Sequence, residues 1–483
     1  MERKINRLQW IFQVLLVTLP VLFIYFIFKS GYVTSTKTTL FLMIVYMGFI
    51  GVLLWKKRAA ENLRLETVLL YLLIASAFLQ ASFFVIELGP FSLFPYRLLF
   101  LSVTALLVLT VLFNRGFIYE VDLKVKGYAA FLVFWLIYAL LSFTWVKNIV
   151  DAIKYFVVIG IGIMVIFLVV LLFRKFSNYI IFYYTWIFML VIVTAIGVWN
   201  HVTEHHLVTS AIINEPPHKQ HIPTSVFKNQ NDFASYLAIS VFFLSASIKY
   251  IKNFIYRLAC LGLLGVMLYL IYVTESRASI LAIVIGAAGM FFLWLSTKNK
   301  KRLVIAGAVL AALLFIVKFD TFYNIYNKVT EFNPALQVTD SNDMRRNLLL
   351  NSTNFIIDTY GFGVGSGNAE HYMKYYKEYP TGGILNVHNW WVEIFVDFGA
   401  VIFIGYVLLF IGLIFHIYRF SKMSVNRFEK MVSHALLGSL ITLSFASISP
   451  SSMSNLNYYW ILLAFALGFV NWSRIKYSNK GVS

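Results

Sequence analysis

Residues 154–173 read KYFVVIGIGIMVIFLVVLLF, with a single charge at the first position. At 1.5 Å per residue such a run covers the roughly 30 Å hydrocarbon core of a bilayer. It offers no polar face to water, so the helix it forms is wrapped in lipid or in other helices. Similar runs recur near 10–28, 38–55, 65–86, 97–113, 128–145, 179–199, 232–251, 255–273, 279–296, 303–319, 391–417, 432–449 and 457–473. The chain therefore reads as all-α: a polytopic membrane bundle of about fourteen spanning helices with a large, partly helical extracellular loop.

Composition agrees. Of 483 residues, 60% are hydrophobic, 18% aromatic and only 13% charged, and mean hydropathy is +0.78. A soluble domain with these proportions would expose large apolar patches, so the lipid bilayer is the solvent and a soluble role is excluded. The net charge of +19 does not point to nucleic acid, because lysines and arginines gather in short loops on one side. The one cysteine, Cys260, excludes an intrachain disulfide and argues against a thiolate metal site. The first apolar run is long enough to span and no small-residue cleavage site follows it, so no cleavable signal peptide is expected.

Basic clusters such as Lys56-Lys57-Arg58 and Lys298-Asn299-Lys300-Lys301-Arg302 recur in every second loop. By the positive-inside rule these loops and both termini are cytoplasmic, and the long loops 200–231 and 320–390 face outward. The chain then divides into an N-terminal membrane bundle (1–199), a membrane segment carrying the first outer loop (200–319), an extracellular catalytic loop (320–390) and C-terminal membrane helices (391–483).

The polar residues of chemical interest sit on the outer side. Arg277, in Thr274-Glu275-Ser276-Arg277, lies at the outer mouth between two spans. It is either a snorkelling arginine paired with Glu275 or an anion ligand at the membrane surface. Arg345 and Arg346 open a helical pattern whose apolar stripe is Leu348, Leu349, Phe355 and Ile356. Their planar forks suit phosphate oxygens, although a solvated pair is the bland alternative. The run 361–367, GFGVGSG, follows no strand and so is not a dinucleotide loop; it reads as a tight turn whose backbone amides are free for an anion or sugar. His388 precedes the interfacial pair Trp390-Trp391 and can take a proton near neutrality, or can be a buried structural histidine. His201-Val202-Thr203-Glu204-His205 matches an inverted zinc-peptidase pattern, but no distal carboxylate ligand accompanies it, so no metal is expected.

Three of these segments, in their order and sidedness, resemble the O-antigen ligase and polysaccharide-polymerase superfamily of bacterial envelopes. Residues 227–234, FKNQNDFA, resemble its Asn-rich start of a span. Thr274-Glu275-Ser276-Arg277 resembles its Ser-Arg segment, and Arg345 followed by Gly363-Val364-Gly365 and His388-Asn389 resembles its large outer loop. Size and composition are similar to those of the teichuronic acid polymerases of Gram-positive bacteria. Leucines at 348–350 stand where the family often has tryptophan, and fourteen spans exceed its usual number. The resemblance implies a glycosyltransferase with no cofactor and no metal, acting on polyprenyl-diphosphate-linked oligosaccharides beside other envelope polysaccharide assembly proteins. It implies diphosphate binding by Arg277, Arg345 and Arg346, catalysis by His388, and substrate contacts from Asn229, Asn231, Gly363, Gly365 and Asn389. A ligase using a lipid or protein acceptor, and a flippase or transporter of lipid-linked sugars, are the alternatives. The long outer loop with His388 favours an enzyme, because transporter sites lie near the midplane.

Overall fold

The computed structural model describes residues 65–83, 85–88, 91–113, 122–303, 305, 341–450 and 452–478. The expected spans 10–28 and 38–55, and nearly all of 303–319, lie outside the described residues. Among those described, helices dominate: α1 (Leu65–Ala77), α2 (Pro95–Phe113), α3 (Lys126–Leu141), α4 (Ile149–Leu172), α5 (Phe176–Thr203), α6 (Gln230–Tyr250), α7 (Phe254–Val273) and α8 (Arg277–Trp294). After them come α9 (Ser341–Asp358), α10 (Ala369–Tyr375), α11 (Trp390–Met423), α12 (Arg427–Ala446) and α13 (Asn457–Ser478). Eight of these, α2 to α8 and α11, are long and apolar enough to cross a membrane. The protein is an all-α membrane protein.

Two expected spans differ in detail. The one placed at 65–86 is helical to Ala77 and then turns into a two-stranded antiparallel hairpin, β1 (Ile86–Leu88) with β2 (Phe91–Leu93). Gln80, in the left-handed region at φ 53°, marks that turn. The helix placed at 391–417 runs from Trp390 to Met423 and is broken at Gly399.

Asparagines start many of these helices. Asn148, Asn229, Asn253, Asn389 and Asn426 each accept a hydrogen bond from a first-turn amide of α4, α6, α7, α11 and α12, satisfying donors that have no partner inside the helix. α12 and α13 are less apolar than the outer helices because protein rather than lipid surrounds them. Along α13 every residue from Asn457 to Ser473 is buried. Its Phe465 stacks on Phe182 of α5 at 4.1 Å, and Trp186 stacks on Phe243 of α6 at 4.5 Å. Phe242 lies against both Gly286 and Gly438, so the absent side chains let α8 and α12 close on α6.

Short connections fix the helix directions. α6 and α7, α7 and α8, and α11 and α12 are joined by three residues each and run antiparallel. Trp390 N donates to Ser447 O, which puts the start of α11 at the end of α12. Tyr458 Oη reaches Asp232 O, which puts the start of α13 beside the start of α6. Trp460 lies on Gly162, and Val169 beside Gly468, so α4 runs parallel to α13. The starts of α4, α6, α8, α11 and α13 therefore share one end with the finish of α7 and α12. Both long loops, 200–231 and the described part of 320–390, emerge there.

The 320–390 loop is docked on α11 by backbone exchange. At Gly399 (φ 73°) the helix breaks, and its pairing is replaced by the glycine turn. Val364 N donates to Val396 O (2.8 Å), Gly365 N to Asp397 O (2.9 Å), and Ala400 N to Gly361 O (2.9 Å). Those atoms would otherwise be unpaired, and a buried backbone group without a partner costs several kcal/mol in an apolar surrounding. A Cβ on Gly363 would sit 2.6 Å from Gly399 N, and one on Gly399 would strike the 361–362 backbone. Gly399→Ala should therefore cost about 1–3 kcal/mol and expose the 341–389 segment to proteolysis. Thermal unfolding in detergent with limited proteolysis checks this; wild-type resistance would mean that the docking is dispensable.

Candidate active site

α9 is held above the bundle by its polar face and its apolar stripe together. Asn347 Nδ2 donates to Pro380 O (2.8 Å) and Asn351 Nδ2 to Tyr379 O (2.9 Å), while Asn351 Oδ1 accepts from the amides of Glu378 and Tyr379. Leu348 and Phe355 bury against Val364, Met373, Val387 and Val396, so the expected stripe packs on the glycine turn and on the first part of α11. Leu349 is exposed. This leaves Arg345 exposed and Arg346 half-buried at the start of the helix.

His388 sits where the loop enters α11. Its backbone is left-handed (φ 53°), an uncommon conformation for a residue with a side chain and one that clusters at functional sites. The buried neighbours Val387 and Trp390 and the capping Asn389 over-determine it. Burial pushes the imidazole below its ordinary pKa, the guanidinium of Arg345 pushes it further down, and the carbonyls of Pro450 and Ser449 pull the other way. Burial and Arg345 thus both favour the neutral imidazole, the form that can act as a base, and Arg345 and His388 lie within electrostatic reach of each other.

Arg277 is the first residue of α8, exposed, at the same end of the bundle. Among the described residues no ion pair joins it to Glu275, and no contact joins it to Arg345 or His388. Asn229 and Asn389 act as helix caps, and Asn231 is half-buried in the first turn of α6. The glycine turn departs from expectation: the amides of Gly363, Val364, Gly365 and Ser366 already donate to Thr359 Oγ1, Val396 O, Asp397 O and Ser142 Oγ. They hold the loop on the bundle and are not free for an anion. The histidine-rich loop is likewise engaged. Nδ1 of His201 meets His221 O, Nδ1 of His205 meets Thr203 O, and Nε2 of His206 meets Gln220 O. Among the described residues no three His, Cys, Asp or Glu side chains are grouped to hold a metal ion.

Sequence reasoning missed a polar network beneath His388. Glu393 Oε1 accepts from Tyr155 Oη (2.6 Å) and Ser452 Oγ (2.8 Å), and Asp397 Oδ1 accepts from Ala369 N (2.9 Å). Through Ser452, Glu393 holds the 447–456 connection whose carbonyls face His388. Nearby, Glu370 of α10 is raised above the usual carboxylate range by burial and by Asp151, against a lowering pull from Lys228. Lys228 of the first long loop and Glu370 of the second therefore lie within electrostatic reach of each other. Two carboxylates four residues apart in an apolar run were the available signal, since intramembrane acids mark functional sites.

Residues 262–407 match the family described as O-Antigen ligase, a stretch that contains Arg277, Arg345 and His388. Over 413 residues the chain is 39% identical to the Teichuronic acid biosynthesis protein TuaE of Bacillus subtilis (strain 168), covering 84% of this chain and 85% of that one. The chain belongs to the O-antigen ligase and polysaccharide-polymerase superfamily. In this member of the superfamily, the matched region supplies the cations and the histidine. The 447–456 connection beyond it supplies the carbonyls that face the ring.

The pH dependence of activity follows from the site. With His388 depressed by burial and by Arg345, the acid limb of polymer synthesis should fall below pH 6.5, the ordinary histidine value. Arg345→Gln removes one lowering cause, so the limb should move upward. Rate against pH in membrane vesicles measures this, and a limb that does not move would assign the titration to another group.

Proposed function

We propose that this protein polymerises a cell-envelope polysaccharide, transferring a polyprenyl-diphosphate-linked glycan to the next lipid-linked repeat unit on the outer face of the membrane. The observation that carries this reading is the placement of a half-buried His388 within electrostatic reach of Arg345, at the bundle end where both long loops emerge. His388 takes the proton of the acceptor sugar hydroxyl as that oxygen bonds to the anomeric carbon of the donor. The bond from that carbon to the diphosphate oxygen breaks, and its electron pair leaves with the carrier lipid. Arg277, Arg345 and Arg346 stabilise the departing charge at the membrane surface, where partial exclusion of water strengthens each ion contact. On this reading the arginines supply the countercharge and no metal ion is needed. Asn229, Asn231 and Asn389, by their place at helix starts around the same end, line the glycan path.

The reading includes a topology of fourteen spans with both termini cytoplasmic. The shared end of loops 200–231 and 320–390 supports it, as does the alternation of basic clusters. A reporter fused after Lys480 should read cytoplasmic and one inserted near Asp340 extracellular; signals on the same side would end the fourteen-span topology.

The family description keeps a ligase in view, and a deletion strain separates the two. Loss of a polymerase leaves single lipid-linked repeats on the outer leaflet with long polymer absent, whereas loss of a ligase leaves long polymer attached to its carrier. Transporter loss would instead trap single repeats on the cytoplasmic leaflet. His388→Ala should reproduce the deletion while leaving donor binding largely intact, since a general base acts in the transition state. Full polymer yield from His388→Ala would remove His388 from the chemistry.

A further inference from the structure

The end of the bundle away from the candidate active site carries a cluster of lysines that no acid answers. Lys249 is in the last turn of α6 and Lys422 in the last turn of α11. Lys300 lies just beyond α8, and Lys430 is in the first turn of α12. The starts of α6, α8 and α11 share the site end with the finish of α12, so these four positions gather at the other end. Lys430 is within electrostatic reach of Lys249, and His434, one turn further along α12, faces Lys249, Lys430 and Lys422. Among the described residues no carboxylate forms an ion pair with any of the four. Glu429, the acid beside them on α12, is already taken by Lys476 of α13 and by Ser424 Oγ (2.7 Å).

Aromatic rings hold the ammonium groups in place and leave donors open. Nζ of Lys249 lies 3.7 Å from the centre of the Trp294 ring. The His434 ring packs on Trp294 (5.4 Å), and its Nδ1 meets Tyr250 Oη (2.8 Å). Lys300 Nζ donates to Tyr418 Oη (2.9 Å), and Lys422 Nζ lies 5.5 Å from the centre of the same ring. A ring face attracts a cation but uses up none of its hydrogen-bond donors, and an ammonium has three. Four like charges without a counter-ion repel one another, and an anion with several oxygens relieves all of them at once.

The surroundings select the anion. Phe291 and Trp294 are exposed in the last turns of α8, and Ile411 and Phe415 are exposed on α11. Both helices are long and apolar enough to cross the membrane. The apolar surface that faces lipid therefore runs up to the lysines, and Trp294 stands where interfacial tryptophans belong. An anion held there can keep a tail in hydrocarbon.

We propose that this cluster binds the phosphate headgroup of an anionic phospholipid, at a site separate from the candidate active site and independent of the polymerase reading. The headgroup lies among Lys249, Lys300, Lys422 and Lys430, with its acyl chains along Phe291 and Trp294. It clasps the ends of α6, α8 and α11 to the start of α12. At their other ends α8 and α11 begin with Arg277 and with the segment after His388.

Lipid retention by the detergent-purified full-length chain, counted by native mass spectrometry, tests this with dioleoylphosphatidylglycerol against dioleoylphosphatidylcholine. Wild type should retain the anionic lipid in preference, and Lys249→Gln with Lys430→Gln should weaken its binding about tenfold or more. The control is Lys126→Gln with Lys175→Gln, the same loss of charge at exposed positions of the same end, which should leave the affinity near wild type. Among the described residues none of these lysines is in an ion pair, so unfolding midpoints in neutral lipid should also stay near wild type. If the first double variant does not fold, Lys422→Gln alone should bind the anionic lipid about fivefold more weakly. Three results would overturn the site: no preference between the two lipids, equal weakening by both double variants, or displacement of the lipid by inorganic phosphate but not by chloride at matched ionic strength.

Discussion

A broken helix that borrows another segment's backbone holds the candidate site together. At Gly399, α11 gives up its own pairing, and the turn 361–367 supplies the missing donors and acceptor in register. In water such a break would be solvated, but at the membrane boundary it persists only if every exposed group finds a protein partner. The consequence is geometric. With the turn fixed on α11, the apolar stripe of α9 has a surface to bury against, and Arg345 stays near His388. Glycine is required on both sides because two backbones approach within van der Waals contact.

Below this docking, buried carboxylates are placed where they cost most and are met by hydrogen-bond donors. Glu393 is shared by Tyr155 and Ser452, and the carboxylate of Asp397 meets the amide of Ala369. Buried networks of this kind rigidify when fully satisfied and destabilise when half satisfied. Glu393 also links α4, α11 and the 447–456 connection, so the position of the carbonyls facing His388 depends on a side chain one helical turn deeper.

The fold was legible in the sequence because lipid imposes a simple rule: runs such as 154–173 have no other stable home than a spanning helix. Arg345 and His388 were legible as residue types that carry charge and a proton, placed on the loop side by the basic-loop pattern. What could not be read was the role of the glycines. GFGVGSG at 361–367 looks like an open cradle until the amides of Val364 and Gly365 are seen to be spent on α11 and that of Ser366 on Ser142, distant partners that no local pattern reveals. The network around Glu393 was missed because Tyr155 and Ser452 lie nearly three hundred residues apart, and only the parallel packing of α4 with α13 joins them. The end of α1 at Ala77 was misjudged because the next residues stay apolar while the chain turns into a hairpin.

Under the proposed function, the position of the site at the edge of the bundle follows from what it would handle. A lipid diphosphate keeps its tail in hydrocarbon and its charge in the interface, so cations that receive it belong at helix starts rather than deep in the spans. Arg277 opens α8 and Arg345 lies on the loop above, both exposed, and a solvated guanidinium grips weakly until a ligand displaces its water. On that proposal His388 has the opposite requirement, since a base must be partly shielded and uncharged before reaction, and burial together with Arg345 favours that form. An exposed Arg345 within reach of a half-buried base, with Arg277 at the same end of the bundle, therefore suits a reaction in which a bulky anion arrives from the membrane and a single proton is moved.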